Sequence, residues 1–98
     1  MSEAYLTQSP RTAWRVYDGE AAVLCPDDST LNSLNAVGTL IWQSADGKTA
    51  VSAIVARICE EFDVDPERAE RDTMTFIARL RDRGLLTVSE TIQQAPIE

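Results

Sequence analysis

Residues 13–34 read AWRVYDGEAAVLCPDDSTLNSL, and apolar side chains recur in them at every second position. That period belongs to half-buried strands, and the turn signals Asp18-Gly19 and Pro26-Asp27-Asp28-Ser29 cut the stretch into three of them. A two-residue turn at Asp18-Gly19 pairs Tyr17 with Glu20, Val16 with Ala21 and Trp14 with Val23. Trp14, Val16, Ala21, Val23 and Cys25 then share one face, which is expected to be the core face. A second loop of two or four residues pairs Cys25 with Thr30, Val23 with Asn32 and Ala21 with Leu34. Leu34 then joins the core while Leu24 and Leu31 share the outward face; a three-residue loop would reverse this. In such a meander the first and third strands are edges, open to further pairing.

Outward from this stretch, the period becomes helical after Asn35. Asn35 is expected to cap a helix over Ala36–Ser44 that buries Val37, Leu40 and Ile41, with Gly38 allowing close approach of a neighbour. Asp46-Gly47 is expected to end it. Thr49 is the expected cap of a second helix, in which Val51, Ile54, Val55, Ile58 and Phe62 form an apolar stripe with Cys59 at its edge. For the third helix Asp65 is the cap, Pro66 the first helical residue and Gly84 the left-handed terminator, which brings Leu85 onto Leu80. Its apolar face is Ala69, Thr73, Phe76, Ile77 and Leu80, flanked at ~100° per residue by Arg68, Arg71, Asp72, Thr75, Arg79 and Arg83. Leu85, Leu86 and Val88 add a short extended piece. The expected fold is α+β and winged helix-turn-helix-like, a three-stranded antiparallel sheet followed by three helices. Residues 13–88 are read as the domain, with residues 1–12 and 89–98 as flexible tails.

Ninety-eight residues with 44% apolar content make one small domain, which hides about two thirds of the surface its unfolded chain exposes. Sixteen acidic against nine basic residues, a net charge of −7, oppose approach to nucleic acid or to an anionic membrane. The absence of histidine removes the commonest metal ligand and the usual acid-base group near neutral pH. Cys25 and Cys59 lack a metal or redox spacing and read as buried thiols, in keeping with a reducing compartment. The carboxylates of Asp27-Asp28, Glu60-Glu61 and Asp63-Val64-Asp65 fall in a turn, at a helix end and at a cap, where solvation and the helix dipole explain them. The start, MSEAYLTQSPRTA, has no basic, then apolar, secretion pattern, and the longest apolar run, Ala21–Cys25, is too short to span a bilayer. A soluble, cytoplasmic chain without catalytic activity, metal or cofactor is expected.

Leu34-Asn35, Gly38 and Ile41-Trp42, followed by Asp46-Gly47, Thr49, Ile54, Phe62, Asp72, Phe76, Leu80 and Gly84-Leu85-Leu86, resemble the pattern of the PqqD-like family. This is the coenzyme PQQ synthesis protein D group of peptide chaperones, also called RiPP recognition elements, and the resemblance covers some three fifths of the chain. It implies a non-catalytic module that binds the leader of a ribosomally made precursor peptide and presents it to a modifying enzyme, often a radical S-adenosylmethionine enzyme. The family's leader adds as an extra strand to the third strand and lies between that strand and the third helix, which is β-augmentation.

On this reading the backbone of Thr30, Leu31, Asn32, Ser33 and Leu34 supplies hydrogen bonds, while groove side chains choose the peptide. Leu31 and Ser33 are placed beside the strand, with Asp72, Thr75, Phe76 and Arg79 on the helix. Helical angle assigns Phe76 as an apolar floor and Arg79, with Arg68 and Arg83, as partners for acidic leader residues. Competing readings stay open: the arginine row as a solvated face, Phe76 as core, and Leu24, Leu31 and Tyr17 as scattered surface apolars or a contact patch for an enzyme. At the level of the whole protein the alternatives are a winged-helix DNA-binding regulator and a scaffold subunit without peptide binding.

Overall fold

In the computed structural model, which describes residues 4–25 and 29–89, the hairpin stretch folds in the expected register. Strands β2 (Ala13–Tyr17), β3 (Glu20–Cys25) and β4 (Thr30–Ser33) form an antiparallel sheet in that order. Tyr17 opposes Glu20, Val16 opposes Ala21, Trp14 opposes Val23, Asn32 opposes Val23 and Thr30 opposes Cys25. Asp18 and Gly19 carry φ of 53° and 79°. That double left-handed turn matches the twist of the strands it joins, which is why Asp-Gly serves there. Of the second expected turn, Pro26–Asp28 lie outside the described residues.

Ala21, Val23, Cys25 and Leu34 are buried as expected, but Trp14 and Val16 remain 37% and 39% exposed. They lie on the core-facing side of an edge strand, and helix α1 (Ala36–Gln43) packs over β3 instead. Trp14 makes an edge-on contact with the fully buried Trp42, ring centroids 6.1 Å apart.

The helices keep the centres of their expected cores, while Val37, Val55, Phe62 and the Cys59 thiol, expected to be buried, are half-buried at the edges. Val51, Ile54 and Ile58 of α2 (Val51–Phe62) and Ala69, Thr73, Ile77 and Leu80 of α3 (Pro66–Asp82) are buried. Asp65 Oδ1 accepts from the N–H groups of Glu67 (2.9 Å) and Arg68 (3.2 Å) at the start of α3. At its end Gly84, at φ 75°, donates to the Arg81 carbonyl and Leu85 to the Leu80 carbonyl, both at 3.0 Å. This crossed pair satisfies two terminal carbonyls and turns Leu85 into the core.

Three short strands build a second antiparallel sheet; two depart from expectation, and the third is the short extended piece read at Leu86 and Val88. The N-terminal stretch, read from sequence as part of a loose tail, contains β1 (Tyr5–Gln8), which lies between β5 (Asp46–Ala50) and β6 (Leu86–Ser89). Leu6 is fully buried. Ser9 N–H donates to the Leu85 carbonyl (2.9 Å), and the Gln8 side-chain amide donates to the Trp42 carbonyl (2.8 Å). A four-residue strand with one core residue shows no measurable period, so its pairing is invisible locally. The expected tail beyond Ser89 lies outside the described residues.

Asp46-Gly47 does not simply end α1; it opens β5 as an irregular, bulged start opposite Thr7, with Gly47 at φ 79°. Thr49 does not cap α2 either. The N-cap is Ala50, which makes no side-chain cap bond, and the Val51 N–H is taken by the Ala4 carbonyl at 2.8 Å. Thr49 is instead held by Asp46, whose carboxylate accepts from Lys48 N–H and Thr49 N–H (both 2.9 Å) and from the Thr49 hydroxyl (3.2 Å). Among the described residues no helix is long and apolar enough to cross a membrane.

Two outcomes follow. Leu6→Ala should lower unfolding free energy by about 3 kcal/mol, the cost of emptying a closed leucine site, in urea titrations read by circular dichroism; an unchanged midpoint would restore the loose-tail reading. The hydrogen bonds that Asp46 accepts, that from Lys48 N–H foremost, hold its carboxyl below the ordinary carboxylate range. Its contribution is therefore present above the unfolded carboxyl's pKa and is lost as pH falls through the lowered native value. Asp46→Ala should cost about 1 kcal/mol at neutral pH, and the difference from wild type should close on acidification below that value.

Candidate functional site

β4 is the outer strand of its sheet, and among the described strands it pairs with β3 alone. The Leu34 N–H donates to the Ala21 carbonyl at 2.8 Å. Hydrogen-bonded and non-bonded pairs alternate along an antiparallel ladder, so Asn32 with Val23 and Thr30 with Cys25 point their peptide groups inward. The N–H and C=O groups of Leu31 and Ser33 consequently face the open margin. A chain laid along that margin meets two donors and two acceptors from these residues.

The same alternation corrects the expected placement of their side chains. Leu31 and Ser33 lie on the face shared with Leu24, away from the helices, and do not line the groove with their side chains. Thr30, Asn32 and Leu34 point the other way. Leu34 is consumed by the core, being 6% exposed. Asn32 is half-buried, and its side-chain oxygen accepts a hydrogen bond from Arg83 Nη1 beyond the end of α3. This contact ties the edge strand to the helix across the groove.

Two clefts lie along that wall. A cleft of about 290 Å³ at the Thr30 end is lined by Cys25, Thr30, Asn32 and Arg83. One of about 280 Å³ beyond the Ser33 end is lined by Asp72, Thr75, Phe76 and Arg79 of α3 and by Asn35, Val37, Gly38 and Ile41. The four expected helix residues thus come together, but they face Asn35 and the first turns of α1 and not β4. Asn35, Val37 and Ile41 had not been singled out as site residues. The expectation that Gly38 permits close approach was the available signal, since whatever approaches it must bring α3 onto that side of α1.

The approaching group is Phe76. A methyl group built on Gly38 would lie 2.8 Å from Phe76 Cε1 and 3.1 Å from Cζ, well inside van der Waals contact. Phe76 is half-buried against the core, so one ring serves both as core and as cleft wall. The charged groups divide. Arg68 forms an exposed i,i+4 ion pair with Asp72 at 3.6 Å, Arg83 is held by Asn32, and Arg79 lines the cleft as an exposed cation. An exposed pair of this kind is worth at most about 1 kcal/mol, so Arg68 and Asp72 can exchange partners at little cost. Among the described residues no group of three or more metal-ligating side chains is gathered.

The profile of the family described as coenzyme PQQ synthesis protein D (PqqD) matches residues 20–86. The chain belongs to the PqqD family. Among solved structures it is similar to TbiB1 in complex with the TbiA(beta) leader peptide, with 31% identity and a TM-score of 0.75 over 82% of this chain and 93% of that one. A lasso peptide synthetase B1 complexed with its leader peptide has the same fold, with a TM-score of 0.75 at 20% identity over 84% of this chain and 96% of that one. The heterocyclase TruD contains the fold as well, at 17% identity and a TM-score of 0.59, the match covering 88% of this chain but only 12% of that one. Among curated proteins there is no match to this chain.

Within this PqqD domain the Leu-Asn-x-x-Gly stretch acquires a physical meaning. Asn35 Oδ1 accepts from Gly38 N–H at 2.8 Å and caps α1, while the bare Gly38 Cα lets the Phe76 ring close the cleft. Gly38→Ala should destabilise the domain by about 1–2 kcal/mol through overpacking against Phe76, part of the strain being offset by the better helix propensity of alanine. In a Phe76→Leu background the same substitution should cost much less; equal losses in both backgrounds, read by urea titration, would disprove the coupling.

Proposed function

We propose that this PqqD domain is a non-catalytic peptide chaperone: it binds the leader of a ribosomally synthesised precursor peptide by strand addition at β4 and presents the rest to a modifying enzyme. The observation that carries the proposal is the open margin of β4, with the peptide groups of Leu31 and Ser33 turned outward beside a helix that bears a cleft. TbiB1, the relative at 31% identity, is described in complex with a leader peptide, which supports the same class of ligand here. Strand addition supplies backbone hydrogen bonds that tolerate many sequences, and selection falls to side-chain pockets at every second residue.

In this proposal Thr30–Leu34 form the pairing strand, and only its outward peptide groups touch the leader. Phe76 floors the cleft between α1 and α3 for an aliphatic or aromatic leader residue. Thr75, whose hydroxyl donates to the Arg71 carbonyl at 3.0 Å, flanks it. Arg79 meets an acidic leader residue directly, with Arg68 available once it leaves Asp72, and Arg83 with Asn32 marks the Thr30 end of the site. The net charge of −7 makes these cations local exceptions on an acidic surface, which favours a short acidic-apolar peptide over a polyanion such as DNA. The partner enzyme is read as a radical S-adenosylmethionine enzyme from the family resemblance; the lasso synthetase and the heterocyclase among the solved structures represent other classes it could serve. The precursor is made by ribosomes, so the cytoplasm is the compartment in which both partners are available.

Titrating the purified chain with the leader of a precursor encoded beside its own gene, followed through Trp14 and Trp42 emission, should give saturable binding. Lack of binding at peptide concentrations on the order of hundreds of micromolar would refute the proposal, because such an affinity is weaker than about 5 kcal/mol of binding free energy. Ser33→Pro removes one outward N–H without entering the core, and should weaken the leader at least ~10-fold while the circular dichroism spectrum is kept.

A further inference from the structure

On the face of the β2–β3–β4 sheet turned away from the helices, the register aligns Ala13, Leu24 and Leu31 in one row across all three strands. The row is wholly apolar and ends at the open margin, where Leu31 is 63% exposed. With Tyr17, whose hydroxyl accepts a 3.4 Å hydrogen bond from Arg15 Nη1, these residues border a shallow depression of about 360 Å³. A large aliphatic side chain at a free strand margin is a hazard that soluble proteins usually blunt with a charge, a proline or a bulge. β4 carries none of these over Thr30–Ser33.

The margin itself dictates what can cover the row. Because the peptide groups of Leu31 and Ser33 point outward, an added antiparallel strand forms its close hydrogen-bonded pairs with those two residues, and directly opposed side chains fall on the same face. The added residue opposite Leu31 therefore emerges on the outer face and lengthens the Ala13-Leu24-Leu31 row. Its two chain neighbours emerge on the other side, toward Asn32 and α3. We propose that Leu31, backed by Leu24, is a second side-chain subsite that selects an aliphatic or aromatic leader residue one position out of phase with those entering the α3 cleft. The inference rests on the leader-binding reading and deepens it: the recognised segment carries apolar groups at adjacent positions, on both faces of the added strand, instead of strictly alternating ones.

The test uses synthetic peptides carrying the leader encoded beside this chain's gene, each residue replaced in turn by Ser, and measures fluorescence-anisotropy affinities for wild type, Leu31→Ser and Leu31→Ile. Leu31 is mostly exposed, so all three should fold. Leu31→Ser should bind the parent leader roughly fivefold to tenfold more weakly, Leu31→Ile should bind it as wild type does, and a single serine replacement should lose its effect in the Leu31→Ser protein while its neighbour in sequence keeps it. If Leu31→Ser binds every peptide as tightly as wild type while Ser33→Pro abolishes binding, the outer subsite is overturned and strand addition stands. If the parent leader binds none of the proteins, both readings fall together.

Discussion

The first turn of α1 is the joint on which sheet, helices and cleft all depend. Thr39, buried at 4% exposure, accepts a hydrogen bond from the Ala21 N–H at 2.7 Å and donates to the Leu34 carbonyl at 3.4 Å. Its hydroxyl thus occupies the place where the β3–β4 ladder ends and would otherwise leave a buried peptide donor without a partner, at a cost of about 1–3 kcal/mol. One residue earlier, Gly38 admits the Phe76 ring, and three residues before that Asn35 caps the helix. Within five residues the chain closes the sheet, starts the helix and receives α3. The orientation of α3 against β4 is therefore set from one point, and the groove inherits it.

Other strand margins are less suited to receive a peptide. β5 begins in an irregular pairing at Asp46-Gly47, and the Asp46 carboxylate binds the peptide N–H groups of Lys48 and Thr49, which bends and occupies the strand. β2 is exposed along its whole length and lacks the cleft-bearing helix that stands beside β4. The second sheet draws β1 and β6 from opposite ends of the described chain and buries Leu6 and Leu86. It serves to hold the ends together while the first sheet keeps β4 open.

Legibility from sequence followed the range of the interactions. The hairpin register, the Asn35 and Asp65 caps and the Gly84 terminator are local: each depends on residues a few positions apart whose spacing has one good geometric solution. β1 pairs with partners about forty and eighty positions away, and a single buried leucine in four residues carries no period. Asp46-Gly47 misled for another reason, since a left-handed glycine serves a turn and a strand bulge equally well. At the site, helical angle correctly grouped Asp72, Thr75, Phe76 and Arg79, because α3 is long and unbroken. Leu31 and Ser33 were assigned to the groove although strand parity puts their side chains outside it; only their peptide groups face the margin. Asn35, Val37 and Ile41 were read as cap and core and not as cleft residues, because the helix that faces Gly38 cannot be named without the tertiary fold.

The shortness of β4 constrains how recognition can work. Two donors and two acceptors at the margin, at about 0.5–1.5 kcal/mol net each, yield at most about 6 kcal/mol. Ordering several residues of a flexible leader costs about 1–2 kcal/mol per residue in backbone entropy alone. Backbone pairing therefore cannot hold a peptide by itself at this site, however good its geometry. Burial of apolar side chains must supply the surplus, at about 1.5–3 kcal/mol for each large one fully covered. In the proposed mode of binding, two or three such contacts with an arginine at the rim would supply the surplus that backbone pairing lacks.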